Sequence, residues 1–182
     1  AKAEMRGMDI DIDYLNTLDF KIEKELKEKE KIIQEKLGTK FDVNSSKQLG
    51  IVLESKNFPE VDKTKAGDYK TGEAQLEYWK RKGYEVAKDI LEYRALIKLK
   101  TSFVGEAIEE EAQNSFFGRD KKEKIKGLAK YIREGVIHPT FNPARTSSYR
   151  SSGTDPNLQQ IPKLEDIRKI FKCPDDYYIA EA

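Results

Sequence analysis

The sequence predicts an α+β fold that is mostly α-helical. Residues 15–37 and 85–104 place apolar side chains at three- and four-residue spacing, which is the pattern of amphipathic helices. Strand-forming runs come later, at residues 136–141 and 177–180, where β-branched and aromatic residues are concentrated. Because 37% of the 182 residues are hydrophobic and 37% are charged, we expect a thin core under wide helical surfaces.

The first predicted helix carries leucine and isoleucine on one face, with Glu and Lys between them, and ends at Gly38. The chain begins just before this helix without a recognisable cap. Its apolar positions are Leu15, Leu18, Ile22, Leu26, Ile33 and Leu37.

A second, short helix is predicted after Ser45, because Gln48 follows three residues later as in a capping box. Two interpretations of this helix start remain open. It is either simply a well-capped helix, or a place where free N–H groups, together with Lys47, meet a phosphate.

Residues 57–71 contain Pro59 and Gly67 and are predicted to form a loop. A helix is predicted over residues 73–82, with Leu76 and Trp79 facing inward and Gly83 ending it. Trp79 is therefore expected in the core rather than on a binding surface.

The long helix over residues 85–104 contains a basic window without an acidic residue. Arg94 and Lys98 are four residues apart and share a face, and Lys100 and Thr101 follow. Like charges on one face lower helix stability unless something anionic meets them. The window predicts either a solvated basic face or a surface for an anionic partner.

Residues 105–135 are predicted to form a solvated connection, which is acidic at first and lysine-rich later and carries no motif for catalysis or binding. An extended strand is predicted over residues 136–141, where Pro139 should place it at a sheet edge. A short helix is predicted at residues 165–171 and a strand at residues 177–180. Since the chain starts without a cap and stops at Ala182 in an expected strand, we expect it to be a piece of a larger protein.

The loop at residues 146–162 has an unusual polar inventory. Arg150 offers a fork of donors, while Asn157 and Gln159 each offer a paired donor and acceptor. Pro156 and Pro162 disfavour a continuing helix. Such a loop can present amides and a guanidinium to a partner of fixed shape.

Composition limits the classes of function. With 34 basic and 33 acidic residues, whole-chain charge gives no argument for nucleic acid, so that argument depends on local patches. The lone Cys173 excludes an internal disulfide, and with one His a Cys/His zinc site is not expected. The absence of a membrane-length apolar run and of a signal-peptide pattern predicts a soluble, cytoplasmic protein without a membrane partner.

Several segments, in order along the chain, resemble family A DNA polymerases, the group of bacterial polymerase I and the phage polymerases. Residues 41–50 are similar to the F-x-x-N-S-x-K-Q-L-G stretch of the thumb, and residues 91–103 to its long helix. Residues 156–162 match the P-N-L-Q-x-I-P signature, with Thr146 and Arg150 upstream. Weaker similarities cover residues 5–13, 64–76, 138–142 and 167–171.

Three departures from the family pattern are visible. Tyr149 stands where Gly is usual, and Gln160 replaces a common Asn. The connection at residues 105–135 is longer than in the bacterial enzymes and resembles the phage branch. This length predicts a phage or phage-like source.

The resemblance implies a helical thumb region at residues 1–104, a variable helical connection at 105–135 and the start of a palm at 136–182. Its implied partner is primer–template DNA. Arg150 would reach the primer-terminal base pair in the minor groove, where every correct pair offers an acceptor at nearly the same place. The implied DNA-binding residues are Asn44, Ser45, Lys47, Lys98, Lys100, Thr101, Thr146, Arg150, Asn157 and Gln159.

The resemblance also implies what the complete enzyme would need. Two Mg²⁺ ions would be held by aspartates, the first of which would follow Ala182, so no catalytic residue is expected within the chain. The further partners would be a dNTP and the remaining polymerase segment, the fingers and the rest of the palm. The chain alone is therefore expected not to polymerise DNA.

Three functions stay open at this point. The chain is the primer–template-binding portion of a DNA-dependent DNA polymerase, or a subunit of a split polymerase completed by a partner chain. The third is a non-enzymatic helical interaction module, which would have neither DNA affinity nor salt dependence.

Overall fold

A computed structural model describes residues 5–59, 63, 65, 67, 69–105, 127–142 and 152–172. The chain divides into two compact units. One is Ile22–Lys98, and the other combines Ala1–Lys21 with Leu99–Ala182. The mostly helical α+β class is confirmed by the helices and short strands that follow.

In the described residues of the unit Ile22–Lys98, four helices build the structure. They are the C-terminal part of α1 (Ile12–Leu37), α2 (Ser46–Ser55), α3 (Glu73–Arg81) and α4 (Glu85–Leu99). Glycines with positive φ follow α1 and α3, as predicted, since Gly38 has φ 65° and Gly83 has φ 90°. The apolar faces enclose one core, whose most buried members include Ile33, Val43, Leu49, Leu53, Leu76, Trp79, Ala87 and Ile90.

Trp79 lies at the centre of this core with 1% of its surface exposed. The Phe58 ring meets it edge-on at a centroid distance of 5.5 Å. Its indole Nε1–H donates to the Pro59 carbonyl at 2.9 Å, so the polar atom of the ring is satisfied. The prediction that Trp79 is a core residue is confirmed.

The predicted long helix changes geometry near its end. α4 is a regular α-helix up to Leu99, and Lys100–Val104 then form a widened π turn. The Gly105 N–H closes this turn on the Lys100 carbonyl at 2.6 Å. A π turn adds a residue to the helical turn, so the faces predicted from 3.6-residue spacing do not continue past Leu99.

The unit of Ala1–Lys21 and Leu99–Ala182 contains a three-stranded antiparallel sheet in the order β1–β3–β2. Its strands are β1 (Met8–Asp9), β2 (Ile132–Arg133) and β3 (Val136–Ile137). A two-residue turn joins β2 to β3 at Glu134 and Gly135, both at positive φ as in a type I′ hairpin.

A second, two-stranded sheet pairs β4 (Thr140–Asn142) with β5 (Ser152–Thr154). The prediction of one strand over residues 136–141 is therefore wrong. Pro139 separates β3 from β4, and these two strands lie in different sheets. β3 is also the central strand of its sheet rather than an edge. After β5 come a 3₁₀ helix, Leu158–Gln160, and the short helix α5, Glu165–Arg168.

Two glycines bring distant parts of the chain into backbone contact. A Cβ built on Gly127 would lie 2.5 Å from the Gly105 nitrogen and 2.8 Å from its Cα. Both glycines have positive φ, 63° at Gly127 and 90° at Gly105. The chain therefore passes through nearly the same point at residues 105 and 127.

Several predictions lie outside the described residues. They are the acidic and lysine-rich stretch between residues 106 and 126, and the strand at residues 177–180. Among the described helices, none combines the length and the apolar character that crossing a membrane requires.

Asp11 provides the cap of α1 that the sequence did not reveal. Its Oδ1 accepts the Tyr14 N–H at 3.0 Å, and its Oδ2 lies 3.3 Å from Lys172 Nζ. The expectation of an uncapped start is therefore wrong. The hydrogen bond from Tyr14, assisted by the Lys172 ammonium, lowers the pKa of Asp11 below its ordinary value of 3.8.

We expect Asp11→Asn to destabilise the protein at pH 7 by up to about 1 kcal/mol, because Asn keeps the cap but loses the charge. A carboxyl group whose pKa is lower in the folded state stabilises the fold at pH values above its unfolded-state pKa. This stabilisation is lost as the pH falls through the folded-state pKa. The difference from wild type should therefore shrink below about pH 4 and vanish at lower pH. Urea unfolding at pH 7 and pH 3 measures it. Asp13→Asn in the same helical turn is the control, and a pH-independent difference for Asp11→Asn would contradict the prediction.

Candidate nucleic-acid interface

Asn44, Ser45 and Lys47 lie together at the start of α2. Ser45 is the N-cap, and its Oγ accepts the Gln48 N–H at 3.4 Å, so the predicted capped helix start is confirmed. The Asn44 N–H donates to Asp42 Oδ1 at 2.9 Å. The side chains of Asn44 and Lys47 are exposed. One helix terminus thus presents a carboxamide, a hydroxyl and an ammonium.

The electrostatics of this terminus favour an anion. Helix geometry leaves the first N–H groups without intrahelical acceptors, and the helix dipole is positive at this end. Lys47 forms no ion pair with another residue in the described part of the chain. These groups suit a phosphate oxygen and carry no preference for one base over another.

Two cations of the basic window of the long helix, Arg94 and Lys100, contact residues from other parts of the chain. Arg94 donates from one guanidinium nitrogen to the Thr71 carbonyl and from the other to Thr71 Oγ1 at 3.2 Å. Burial lowers the pKa of this guanidinium. Lys100 Nζ lies 3.1 Å from the carboxylate of Asp19. The Asp19 carboxylate compensates the charge of Lys100, whereas Thr71 is neutral and accepts hydrogen bonds from Arg94. Both partners come from distant positions, so the sequence of one helix does not reveal them.

Lys98 and Thr101 keep exposed side chains on either side of the start of the π turn. Lys98 belongs to the last turn of α4, and Thr101 to the π turn itself. Among Arg94, Lys98 and Lys100, Lys98 has the most exposed side chain, and exposure suits a contact with phosphate.

A cleft of about 150 Å³ brings the π turn and the 3₁₀ helix together. Ser102 and Phe103 line one part of it, and Asn157 and Gln160 line another. More than fifty residues separate these segments in the sequence. The cleft therefore joins the turn that follows the basic window to the polar loop that contains Asn157. Its remaining lining residues are Leu128, Tyr131, Pro156 and Ile161.

Asn157 is fixed in one orientation beside this cleft. It is the N-cap of the 3₁₀ helix, and its Oδ1 accepts the Gln159 N–H at 3.1 Å. Because the oxygen is used inside the turn, the two Nδ2 donors point away from it. The side chain of Gln159 is exposed. This turn can supply the amide donors that minor-groove acceptors need.

The structure leaves part of the predicted site open. Thr146 and Arg150 lie outside the described residues, so their roles stay predictions. Conversely, Ser102 and Tyr131 line the cleft although neither is among the predicted DNA-binding residues. The position of Ser102 beside Thr101 could have suggested it, whereas no pattern in the sequence marks Tyr131.

Comparison with known proteins identifies the family of this chain. Residues 12–182 match the family model described as DNA polymerase family A. The match covers most of the chain, and the chain belongs to this family. Its structure is similar to the POL domain of Pol1 from M. smegmatis in complex with DNA primer-template and dNTP. The TM-score is 0.62 at 25% identity, over 92% of this chain and 26% of that one.

Bacterial DNA polymerases I are among its relatives in sequence. The chain is 37% identical to DNA polymerase I of Bacillus subtilis (strain 168), over 92% of this chain and 17% of that protein. It is 31% identical to the thermostable DNA polymerase I of Thermus thermophilus, over 98% and 20%. The chain thus spans about a fifth of these curated relatives. The expectation of a phage-like source finds no support, because these relatives are bacterial.

The described residues do not fit a catalytic magnesium site. Family A polymerases use Mg²⁺, and two-metal phosphoryl transfer needs clustered carboxylates to hold hard cations. In the described part of the chain, no three His, Cys, Asp or Glu side chains come together in a group that could hold a metal ion. No step through a metal is therefore assigned to these residues.

Proposed function

We propose that this chain is the primer–template-binding portion of a DNA-directed DNA polymerase, with a helical thumb and the start of a palm. The observation that carries the proposal is the cleft at which the π turn meets the turn of Asn157. In this cleft the carboxamide of Asn157 lies near the π turn, and the similar POL domain is bound to primer-template DNA. The partners would be the duplex, a dNTP and the remaining polymerase segment.

Two kinds of contact with the DNA are expected, one with the phosphate backbone and one with the minor groove. The α2 start, with Asn44, Ser45 and Lys47, and the exposed Lys98 and Thr101 would hold the phosphate backbone without reading sequence. The amides of Asn157 and Gln159 would donate into the minor groove, together with Arg150 and with Thr146 nearby. Since each correct base pair offers an acceptor there, such donors sense pair geometry on any template.

The first test is binding of a fluorescent primer–template duplex, measured by anisotropy across a salt series. We expect the affinity to fall linearly with salt on logarithmic axes. Lys47→Ala should reduce the slope by about 0.9, since one phosphate contact is lost. Asn157→Ala should weaken binding by about 1–3 kcal/mol at every salt concentration and leave the slope unchanged.

The control variant is Lys27→Ala, which removes an exposed ammonium from α1 that is paired with Glu23. It should leave both affinity and slope near the wild-type values. No binding, or binding that ignores salt, would instead support a helical interaction module. Primer extension after addition of the remaining polymerase segment tests whether the chain works as one subunit of a split enzyme.

A further inference from the structure

The ion pair between Asp19 and Lys100 joins a buried carboxylate to a partly exposed ammonium. The Asp19 side chain is 8% exposed and that of Lys100 is 22% exposed, with Oδ1 and Nζ 3.1 Å apart. Separating a buried pair leaves an uncompensated charge in a poorly solvated place. A phosphate in water would have to outcompete a carboxylate that is already in position. Lys100 is therefore held by the protein itself.

The π turn explains why Lys100 differs from its neighbours. Lys100 is the first residue of the turn, and its side chain reaches Asp19 in α1. Thr101 and Ser102 follow with exposed side chains, and Val104 is buried, with 1% of its surface exposed. The ion pair and the buried Val104 thus anchor the turn at both ends. Between these anchors Ser102 reaches the cleft that Asn157 also lines.

We infer that Asp19 is a positioning residue that retains Lys100 and so removes this ammonium from the set of phosphate contacts. The pair fixes the π turn, which holds Thr101 and Ser102 beside the DNA-binding cleft. This inference rests on the proposed function and differs from the sequence-based expectation, in which Lys100 meets the DNA backbone directly.

The test uses the same primer–template duplex and salt series. Lys98→Met should reduce the salt slope by about 0.9, because an exposed phosphate contact is lost. Lys100→Met should weaken binding severalfold at every salt concentration and leave the slope unchanged. A loss of slope in Lys100→Met equal to that in Lys98→Met overturns the inference.

Asp19→Asn provides a second test. Its readout is the salt slope, which a purely structural role of Asp19 would not change. Asp19→Asn removes the carboxylate that competes with a phosphate for the Lys100 ammonium, so binding can gain this contact. The slope should therefore become steeper by about 0.9, and the Asp19→Asn/Lys100→Met double variant should return it to the wild-type value. A slope that stays unchanged in Asp19→Asn contradicts the inference.

These outcomes separate the inference from the function on which it rests. If the wild-type chain does not bind the duplex at all, the proposed function fails and this inference fails with it. If the wild-type chain binds with a salt slope that Lys98→Met reduces, the function stands, and the Lys100 and Asp19 variants decide the inference alone. Circular dichroism of each variant verifies that its helices are intact.

Discussion

Trp79→Ala is expected to destabilise the protein by about 3–5 kcal/mol, the usual range for removing a buried Trp. The side chain is 1% exposed, so its loss would leave a cavity that surrounding residues fill only in part. The edge-on contact with Phe58 and the hydrogen bond to the Pro59 carbonyl would be lost as well. The Pro59 carbonyl would then lack its indole donor.

Trp79→Phe separates these contributions. It keeps most of the ring volume but loses the indole N–H, so we expect a smaller cost of about 1–2 kcal/mol. Urea unfolding, monitored by far-ultraviolet circular dichroism, measures both variants on a common scale. If Trp79→Ala cost less than 1 kcal/mol, the ring could not occupy the centre of this core.

Gly127→Ala is the second change with a large expected effect, about 2–4 kcal/mol. The new Cβ would lie 2.5 Å from the Gly105 nitrogen, a collision with backbone that no side-chain rotation relieves. The residue also has φ 63°, where an L side chain is strained. Both penalties apply to the folded state, so the unfolding temperature should fall.

Gly135→Ala is a matched control for this prediction. Gly135 has φ 80°, but a Cβ there would meet nothing within 4 Å. This variant should show the conformational cost alone, about 1–2 kcal/mol. Thermal unfolding of the two variants isolates the collision as their difference. Equal losses of stability would show that the backbones at residues 105 and 127 are not in contact.

The helices could be predicted because their signals are local. Apolar spacing predicts α1 and α4, Ser45 with Gln48 predicts the start of α2, and Gly38 and Gly83 lie just beyond the ends of α1 and α3. The short strands are harder to predict, because two or three residues are too few to show a period. The sequence places Pro139 within one predicted strand, whereas in the structure Pro139 separates β3 from β4.

The candidate site was predictable only in part. The chemistry of the Asn157 turn and of the α2 start is visible in residue types and spacing. The roles of Arg94 and Lys100 are not, because their partners Thr71 and Asp19 come from distant positions. The fold decides which distant residue compensates a charge, so the sequence of a single helix does not reveal that residue. Arg150 and Thr146 remain predictions from the family resemblance.

The close approach of Gly105 and Gly127 has an evolutionary consequence. A polypeptide that departs and returns at one spot can gain or lose sequence there without disturbing the framework on either side. The entropic cost of such growth is small, about 0.6 kcal/mol for each doubling in length. This junction is therefore a natural place for lineages to diverge in length, and for an engineer to graft a foreign peptide.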